Sequence, residues 1–457
     1  MKGLLITGDR SGSGKTSITL ALAALLARSR QVQTFKVGMD YIDPSYLTGV
    51  TGRPCRNLDS FVHSDAQIRD IVTNGCAGAD FALVEGVRGL YEGAEALSDR
   101  GTTADIAKKL SLNVILVVSA SSITRSAAAI VKGFMAFDPA VRIRGVILNN
   151  IGSRVHRDKA VTAIEHYCGI PVIGAIPRSR EMHLTMRHLG LVPYLEGKGS
   201  GAFRQSIEAV VDVIGSHVDI DALLECAGDI PVADTRPPEF SPAPADVTIG
   251  VALDEAFNFY YADLFDILAS LGAKVVPFSP IHDGLPDADG YILGGGYPEL
   301  YAGPLEANDR MREALLEVSR SDVPVYAECG GLLYLTDRII LREGYQDRDH
   351  DEAFSMCGVF AGETRMPARR VIGYVEGIAS AKSPLGPGKF AGHEFHHTDV
   401  VLAPGTRYAY RLSRGIGILD TCDGAVINRT QGSYTHLHPV ASRDLFARFV
   451  DRCRHPG

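Results

Sequence analysis

Two α/β units in one chain are predicted by three features of the sequence. Short apolar runs alternate with amphipathic stretches over residues 2–230, a proline-rich segment breaks that rhythm, and a second strand–helix series starts at Val247. Strand, helix, strand repetition with strands apolar on both faces is the pattern of a parallel sheet covered on both sides. At 457 residues the chain is also too long for one ordinary core.

Strands are expected at Gly3–Thr7, Val32–Val37, Phe81–Val84, Val114–Val118, Gly145–Leu148 and Val172–Ala175. Helical patterns lie between them, at Ser17–Arg28, Thr124–Phe137 and Lys159–Tyr167. Residues 229–246 (DIPVADTRPPEFSPAPAD) carry five prolines and no apolar periodicity, which reads as a semi-rigid linker between a first domain, 1–228, and a second, 247–457. In the second domain a helix is expected at Tyr260–Leu271, with strands at Lys274–Pro277, Gly290–Leu293 and Val323–Ala327.

Composition narrows the function classes. The hydrophobic fraction of 46% and charged fraction of 22% are those of a soluble globular enzyme. A net charge of −8 argues against nucleic acid as a partner and requires a local basic site for any anionic substrate. Eight dispersed cysteines without a CxxC pair fit a reduced, cytoplasmic protein with no zinc site. The longest apolar stretch, Ile18–Ala27, is too short to span a bilayer.

Directly after the first strand comes Gly8-Asp9-Arg10-Ser11-Gly12-Ser13-Gly14-Lys15-Thr16, opening a helix. Backbone N–H groups of such a loop turn inward around phosphate oxygens, with Ser11, Gly12, Ser13, Gly14 and Ser17 as candidate nucleotide contacts. Lys15 supplies positive charge, Thr16 a hydroxyl for Mg²⁺, and the helix N-terminus a favourable dipole. The usual loop begins with glycine where Asp9 stands; here that glycine is one place earlier, at Gly8. Glu85 ends the strand FALVEG, and acids at the carboxyl ends of parallel strands face the ligand crevice. Asp40 and Asp43, in GMDYIDP, follow another strand end and are candidates for positioning a metal or a substrate carboxylate; an aspartate–proline turn is the alternative.

The run VPVYAECGGLL reads as strand, sharp turn, helix with Cys329 on the turn, the arrangement of a nucleophile elbow. A helix N-terminus favours negative charge on the sulfur. The base is expected to be a histidine from elsewhere, and SYTHLH near the C-terminus offers His436 and His438. The turn Gly294-Gly295-Gly296 offers N–H donors suited to an oxyanion.

Together these segments resemble the cobyrinate a,c-diamide synthase family, most specifically through FKVGMDYIDPSY, TGRPCRNLD, VEGVRGLYEG, MRHLGLVP, DEAFNFYY, GGGYPEL, YAECGGLLYL, GHEFHH and SYTHLH. The resemblance implies a dethiobiotin synthetase-like first domain that binds MgATP and a second domain similar to class I glutamine amidotransferases. It implies that Cys329 attacks L-glutamine, that Gly295 and Gly330 hold the oxyanion, and that His436 is the base. Amidotransferases of this class commonly carry an acid two residues after that histidine; here the place is His438, so a third member is left unassigned. It further implies that Asp40, Asp43 and Glu85 serve metal and substrate activation, that Asp59 is a further metal ligand, and that Asn149 meets the adenine. The substrate would be a tetrapyrrole whose carboxylate is phosphorylated and then displaced by ammonia.

Met39 stands where relatives often have proline, and Leu47 where many have histidine. The KVGMDYIDPSYL wording is similar to methanogen-type members, which leaves nickel sirohydrochlorin on the way to coenzyme F430 beside cobyrinate as a substrate. Three other readings compete. They are a cobyric acid synthase, a sirohaem-amidating relative, and a P-loop switch of the partitioning kind, which carries lysine at the place of Arg10 and lacks the cysteine domain. A homodimer is left open, and no membrane partner is expected.

Overall fold

The computed structural model describes residues 1–179, 181–182, 186–187, 190–191 and 201–455. It divides into two compact units, Met1–Pro237 and Pro238–Gly457. The division falls inside the proline-rich segment 229–246. At its start, Gly228–Asp229 pairs antiparallel with the first strand, and farther on Phe240 is fully buried.

The first unit runs β1 (Lys2–Gly8), α1 (Lys15–Ala27), β2 (Val32–Val37), α2 (Ile42–Thr51), β3 (Arg56–Leu58), α3 (Asp65–Cys76), β4 (Phe81–Gly89), α4 (Thr103–Lys109), β5 (Asn113–Ser119), α5 (Arg125–Phe137), β6 (Arg142–Ile151), α6 (Arg154–Cys168) and β7 (Val172–Pro177). These strands are parallel, in the order β3-β2-β4-β1-β5-β6-β7. Strand order therefore reverses at β1, and the loop after it opens at the switch point where such sheets bind ligands. Burial on both faces explains why β2 reads as an unbroken buried run.

Local signals set the helix ends. Ser64 caps α3 by accepting from the Gln67 N–H, while the Gln67 side chain accepts from the Ser64 N–H at 2.9 Å, a reciprocal capping box. All six strands expected in this unit are present. β3 was not anticipated, because three residues are too few to show a period. Only two dipeptides of the MRHLGLVP segment, Met186–Arg187 and Gly190–Leu191, are described, as a short antiparallel pair; the rest lies outside the described residues.

The second unit is built on a ten-stranded mixed sheet. Its parallel half holds Ala273–Phe278, Val247–Ala252, Gly290–Leu293, Val325–Glu328 and Thr430–Ser433, in that order. An antiparallel half follows, through Cys422–Ile427, Arg407–Arg414, Val371–Ala379 and Gly388–His396 to His436–Leu437. The chain thus passes from one part of the sheet, at Ser433, to its far edge, at His436, within three residues. This crossing seats His436 beside His393 of the neighbouring strand. No helix among the described residues is long and apolar enough to cross a membrane.

Candidate active site

In the first unit the parallel ladder assembles a buried charge cluster. Lys36 on β2 and Glu85 on β4 are register partners, so their side chains share one face of the sheet. Glu85 is fully buried, and its Oε1 accepts from Lys36 Nζ at 2.8 Å, Thr16 Oγ1 at 2.9 Å and Lys15 Nζ at 3.1 Å. Asp43, at the start of α2, brings Oδ2 to 2.5 Å from Lys36 Nζ and 3.3 Å from Thr16 Oγ1. Asp40 Oδ1 accepts from the N–H groups of Ile42 and Asp43 at 2.8 and 3.1 Å, the turn that starts α2.

The electrostatics follow from burial and proximity. Burial, reinforced by the Asp43 carboxylate, pushes Asp40 up to about 6. Burial alone would also raise Asp43, but the Lys36 and Lys15 ammonium groups hold it below the usual carboxylate range. Burial works against the charge on Lys36, yet Asp43 and Glu85 outweigh it and lift Lys36 well above the usual lysine value. Lys15 is lowered, by burial and by the like charge of Lys36.

The loop explains its displaced glycine. A Cβ on Gly8 would collide with Ser13 Oγ, so the first glycine sits where the loop folds back on the strand. Asn149 at the end of β6 braces the loop, its amide donating to the Ser13 carbonyl at 2.9 Å. Gly12 and Gly14 have φ of 79° and 92°. Ser17 donates to the Met182 carbonyl at 3.0 Å, and Ser11 is exposed. Asp59 is buried at the carboxyl end of β3, with Oδ1 accepting from the Phe61 N–H at 2.8 Å; β2 separates that strand from Glu85's. Among the described residues no three His, Cys, Asp or Glu side chains form a ready cage for a metal.

In the second unit Cys329 follows the buried strand Val325–Glu328 and begins the helix Gly330–Leu335. Its φ of 42° and ψ of −99° are those of a strained turn, held by its N–H donating to the Ser433 carbonyl at 2.7 Å. His436 is 1% exposed and hydrogen-bonds Cys329. Its Nδ1 lies 3.4 Å from Glu328 Oε2. Burial alone would lower the imidazole, but the contacts with Cys329 and Glu328 raise it to about 10.

Gly295 packs directly on this imidazole: a Cβ there would stand 2.7 Å from His436 Cε1. Gly330 lies beside the same turn, its Cβ direction 3.0 Å from the Gly296 nitrogen. Tyr260 holds the turn by accepting from the Gly294 N–H at 2.7 Å. Cys329, His436 and the two glycines singled out in the sequence are therefore brought together.

Asp423, fully buried, accepts from the N–H groups of Tyr434 and Thr435 at 3.0 and 2.9 Å and from the Thr435 hydroxyl at 2.7 Å. It fixes the segment that carries His436. His393 is the cross-strand partner of His436, and the rings stack with centroids 4.8 Å apart. Burial and the charge of His436 hold His393 well below the usual imidazole range. His438 turns elsewhere, its Nε2 3.7 Å from Asp263 Oδ2 and its ring 4.5 Å from that of Tyr261.

Lys36, Glu328, His393 and Asp423 were not singled out from the sequence. A signal was available for Glu328, a charged residue closing an otherwise apolar strand, VYAE, whereas Lys36 shares its strand VQTFKV with the polar Gln33 and Thr34.

Residues 4–191 match the CobQ/CobB/MinD/ParA nucleotide binding domain, and residues 248–443 match the CobB/CobQ-like glutamine amidotransferase domain. The chain is 48% identical to a cobyrinate a,c-diamide synthase of Methanosarcina acetivorans, over 98% of this chain and 94% of that protein. It is 48% identical to the protein of that name from Methanosarcina barkeri, over 99% and 96%. The Methanothermobacter thermautotrophicus protein of that name is 41% identical, over 98% of each chain. A nucleotide-binding unit followed by a glutamine amidotransferase unit, aligned end to end with these relatives, places the chain in the cobyrinate a,c-diamide synthase family.

Proposed function

We propose that the chain is a glutamine-hydrolysing, ATP-dependent ligase that amidates the a- and c-side-chain carboxylates of a tetrapyrrole precursor, cobyrinate or nickel sirohydrochlorin. What supports this reading is one pairing: a strained thiol in contact with a histidine in one unit, and a phosphate loop beside a buried Lys–Asp–Glu cluster in the other.

At the thiol, Cys329 sulfur attacks the side-chain amide carbon of glutamine, and the N–H groups of Gly295 and Gly330 receive the oxyanion. His436 gives its proton to the departing nitrogen, so ammonia leaves and a glutamyl thioester remains. Water then attacks the thioester as His436 takes its proton, releasing glutamate and restoring the thiol. An imidazole raised to about 10 is charged at neutral pH and so carries the proton that the departing nitrogen takes.

At the phosphate loop, an oxygen of the substrate carboxylate attacks the γ-phosphorus of ATP, forming an acyl phosphate and releasing ADP. Ammonia attacks the acyl carbon, and phosphate leaves with the bonding pair and takes the proton that the nitrogen sheds. Carboxylates resist amines because oxide is a poor leaving group, and phosphorylation removes that obstacle. Residues 11–17 would bind the nucleotide phosphates, Asn149 would meet the adenine from the strand that braces the loop, and Asp40 and Asp43 would orient the reacting carboxylate.

The donors fit Mg²⁺. Thr16 offers a hydroxyl, and Glu85 offers a carboxylate whose Oε2 is buried without a hydrogen-bond partner, both hard oxygen donors, with Asp59 as a further ligand. Bound there, the ion would neutralise charge on the phosphate oxygens. The test is mass spectrometry of products after incubation with MgATP, glutamine and either macrocycle. A doubly amidated product from one of them is expected, and none from either would refute the assignment.

A further inference from the structure

We propose that Glu328 is the acid that positions His436, so that the glutamine site is a Cys329–His436–Glu328 triad whose carboxylate precedes the nucleophile instead of following the base. The proposal deepens the reading of Cys329 and His436 given above and rests on it.

The geometry selects this carboxylate. Glu328 Oε2 lies 3.4 Å from His436 Nδ1. An imidazole whose Nδ1 faces a carboxylate presents Nε2 to the sulfur, which is how a third group fixes tautomer and orientation. The other oxygen is pinned, Oε1 accepting from the Tyr326 hydroxyl at 2.6 Å and from the Leu437 N–H at 2.9 Å. The second bond ties Glu328 to the residue next to the base. Only 8% of Glu328 is exposed, so water screens the pair weakly.

Other acids are engaged elsewhere. The place two residues after the base is His438, which faces Asp263. Asp423 is saturated by the backbone and hydroxyl of Tyr434 and Thr435. Among the described residues, the titratable groups that act on His436 include Cys329, Glu328, the stacked His393 and, through its charge, His396. Behind them stand Tyr326 against Glu328 and Tyr261 against His393, at 3.3 Å from its Nδ1. Glu328 is thus the carboxylate that faces the imidazolium, and its removal destabilises that charged form.

The experiment is a pH profile of glutaminase kcat and KM for the full chain and for Glu328→Gln, Glu328→Asp, Asp263→Asn and Cys329→Ser, with folding checked by circular dichroism melting. Alkylation of Cys329, followed on its own peptide by mass spectrometry, is measured over the same pH range. Glu328→Gln is expected to lower kcat by about 10²-fold with little change in KM, to move the alkaline limb of the kcat profile to lower pH, and to slow the alkylation of Cys329 near neutral pH. Glu328→Asp should restore part of each. An unchanged limb in Glu328→Gln, or an Asp263→Asn variant that moves the limb instead, overturns the proposal. Should Glu328→Gln fail to fold, Tyr326→Phe loosens the carboxylate and is expected to shift the limb in the same direction, and no shift overturns the proposal. Cys329→Ser separates the two levels. Full activity there sinks the reading of the thiol itself, whereas an inactive Cys329→Ser beside an unaffected Glu328→Gln sinks this proposal alone.

Discussion

Replacing Lys36 by methionine keeps most of the side-chain volume and deletes one buried charge. Lys36 is 1% exposed, and it donates to Asp43 at 2.5 Å, Glu85 at 2.8 Å and the Gly86 carbonyl at 3.2 Å. Its loss does not orphan Glu85, which keeps Lys15 and Thr16. It does strip Asp43 of its nearest cation, leaving the Thr16 hydroxyl at 3.3 Å. Removing one partner of a buried ion pair costs about 3–5 kcal/mol, which for a unit of this size lowers its melting temperature by on the order of 10 °C. Lys36 is lifted well above the ordinary lysine value, so the stability it contributes is fully present below that value and is lost only as pH rises through the lifted one; its own titration therefore adds no pH dependence between pH 6 and pH 8. Native-state hydrogen exchange of β2 and β4 peptides reads the cost within the first unit alone. The double variant Lys36→Met/Asp43→Asn removes the stranded carboxylate and should recover about 1–3 kcal/mol. A loss below about 1 kcal/mol for the single variant, or strict additivity of the two, would show that the cluster is not the buried ionic unit described.

Four further outcomes are expected. Cys329→Ser should abolish glutamine-driven synthesis while added ammonium still supports it; loss of both in a folded protein would contradict separate centres. Lys15→Ala should suppress ATP-dependent product while glutamine is still hydrolysed, and near-wild-type amidation would remove the phosphate loop from the account. Gly295→Ala forces a methyl to within 2.7 Å of His436 Cε1, so glutaminase kcat should fall with a free-energy cost of about 1–3 kcal/mol, read by steady-state kinetics. Asp40 has a folded-state value raised to about 6, so the folded form holds that proton more tightly and loses stability as pH rises from about 4 to about 6. Asp40→Asn should flatten this limb of the first unit's stability curve, and an unchanged curve would contradict the shift.

Much of this was legible in the sequence, for physical reasons that differ between regions. Strands buried on both faces, such as the VILVV run of Asn113–Ser119, announce themselves as apolar runs of the right length, and the phosphate loop and the cysteine elbow have short, ordered spacing. The antiparallel half of the second sheet was not read. Val371–Ala379 leaves Ile372 and Ile378 exposed and places glycines at 373 and 377, so neither strict alternation nor a buried run appears. The third group beside His436 was invisible for another reason. It is defined by a crossing between distant strands, and the residue at the usual chain position points to Asp263 instead. Lys36 sat inside a quoted motif, but only the ladder shows that it faces Glu85.

The two lysines around Glu85 are tethered differently. Lys36 extends from a central strand whose spacing to β4 is set by backbone hydrogen bonds at about 4.8 Å. Lys15 extends from the first turn of a helix and is 11% exposed along its side chain. One cation is therefore stationary and the other can travel. Were a phosphate to draw Lys15 outward, Glu85 would keep its fixed counter-ion and no bare carboxylate would be left in the interior, so such an excursion would carry little electrostatic penalty.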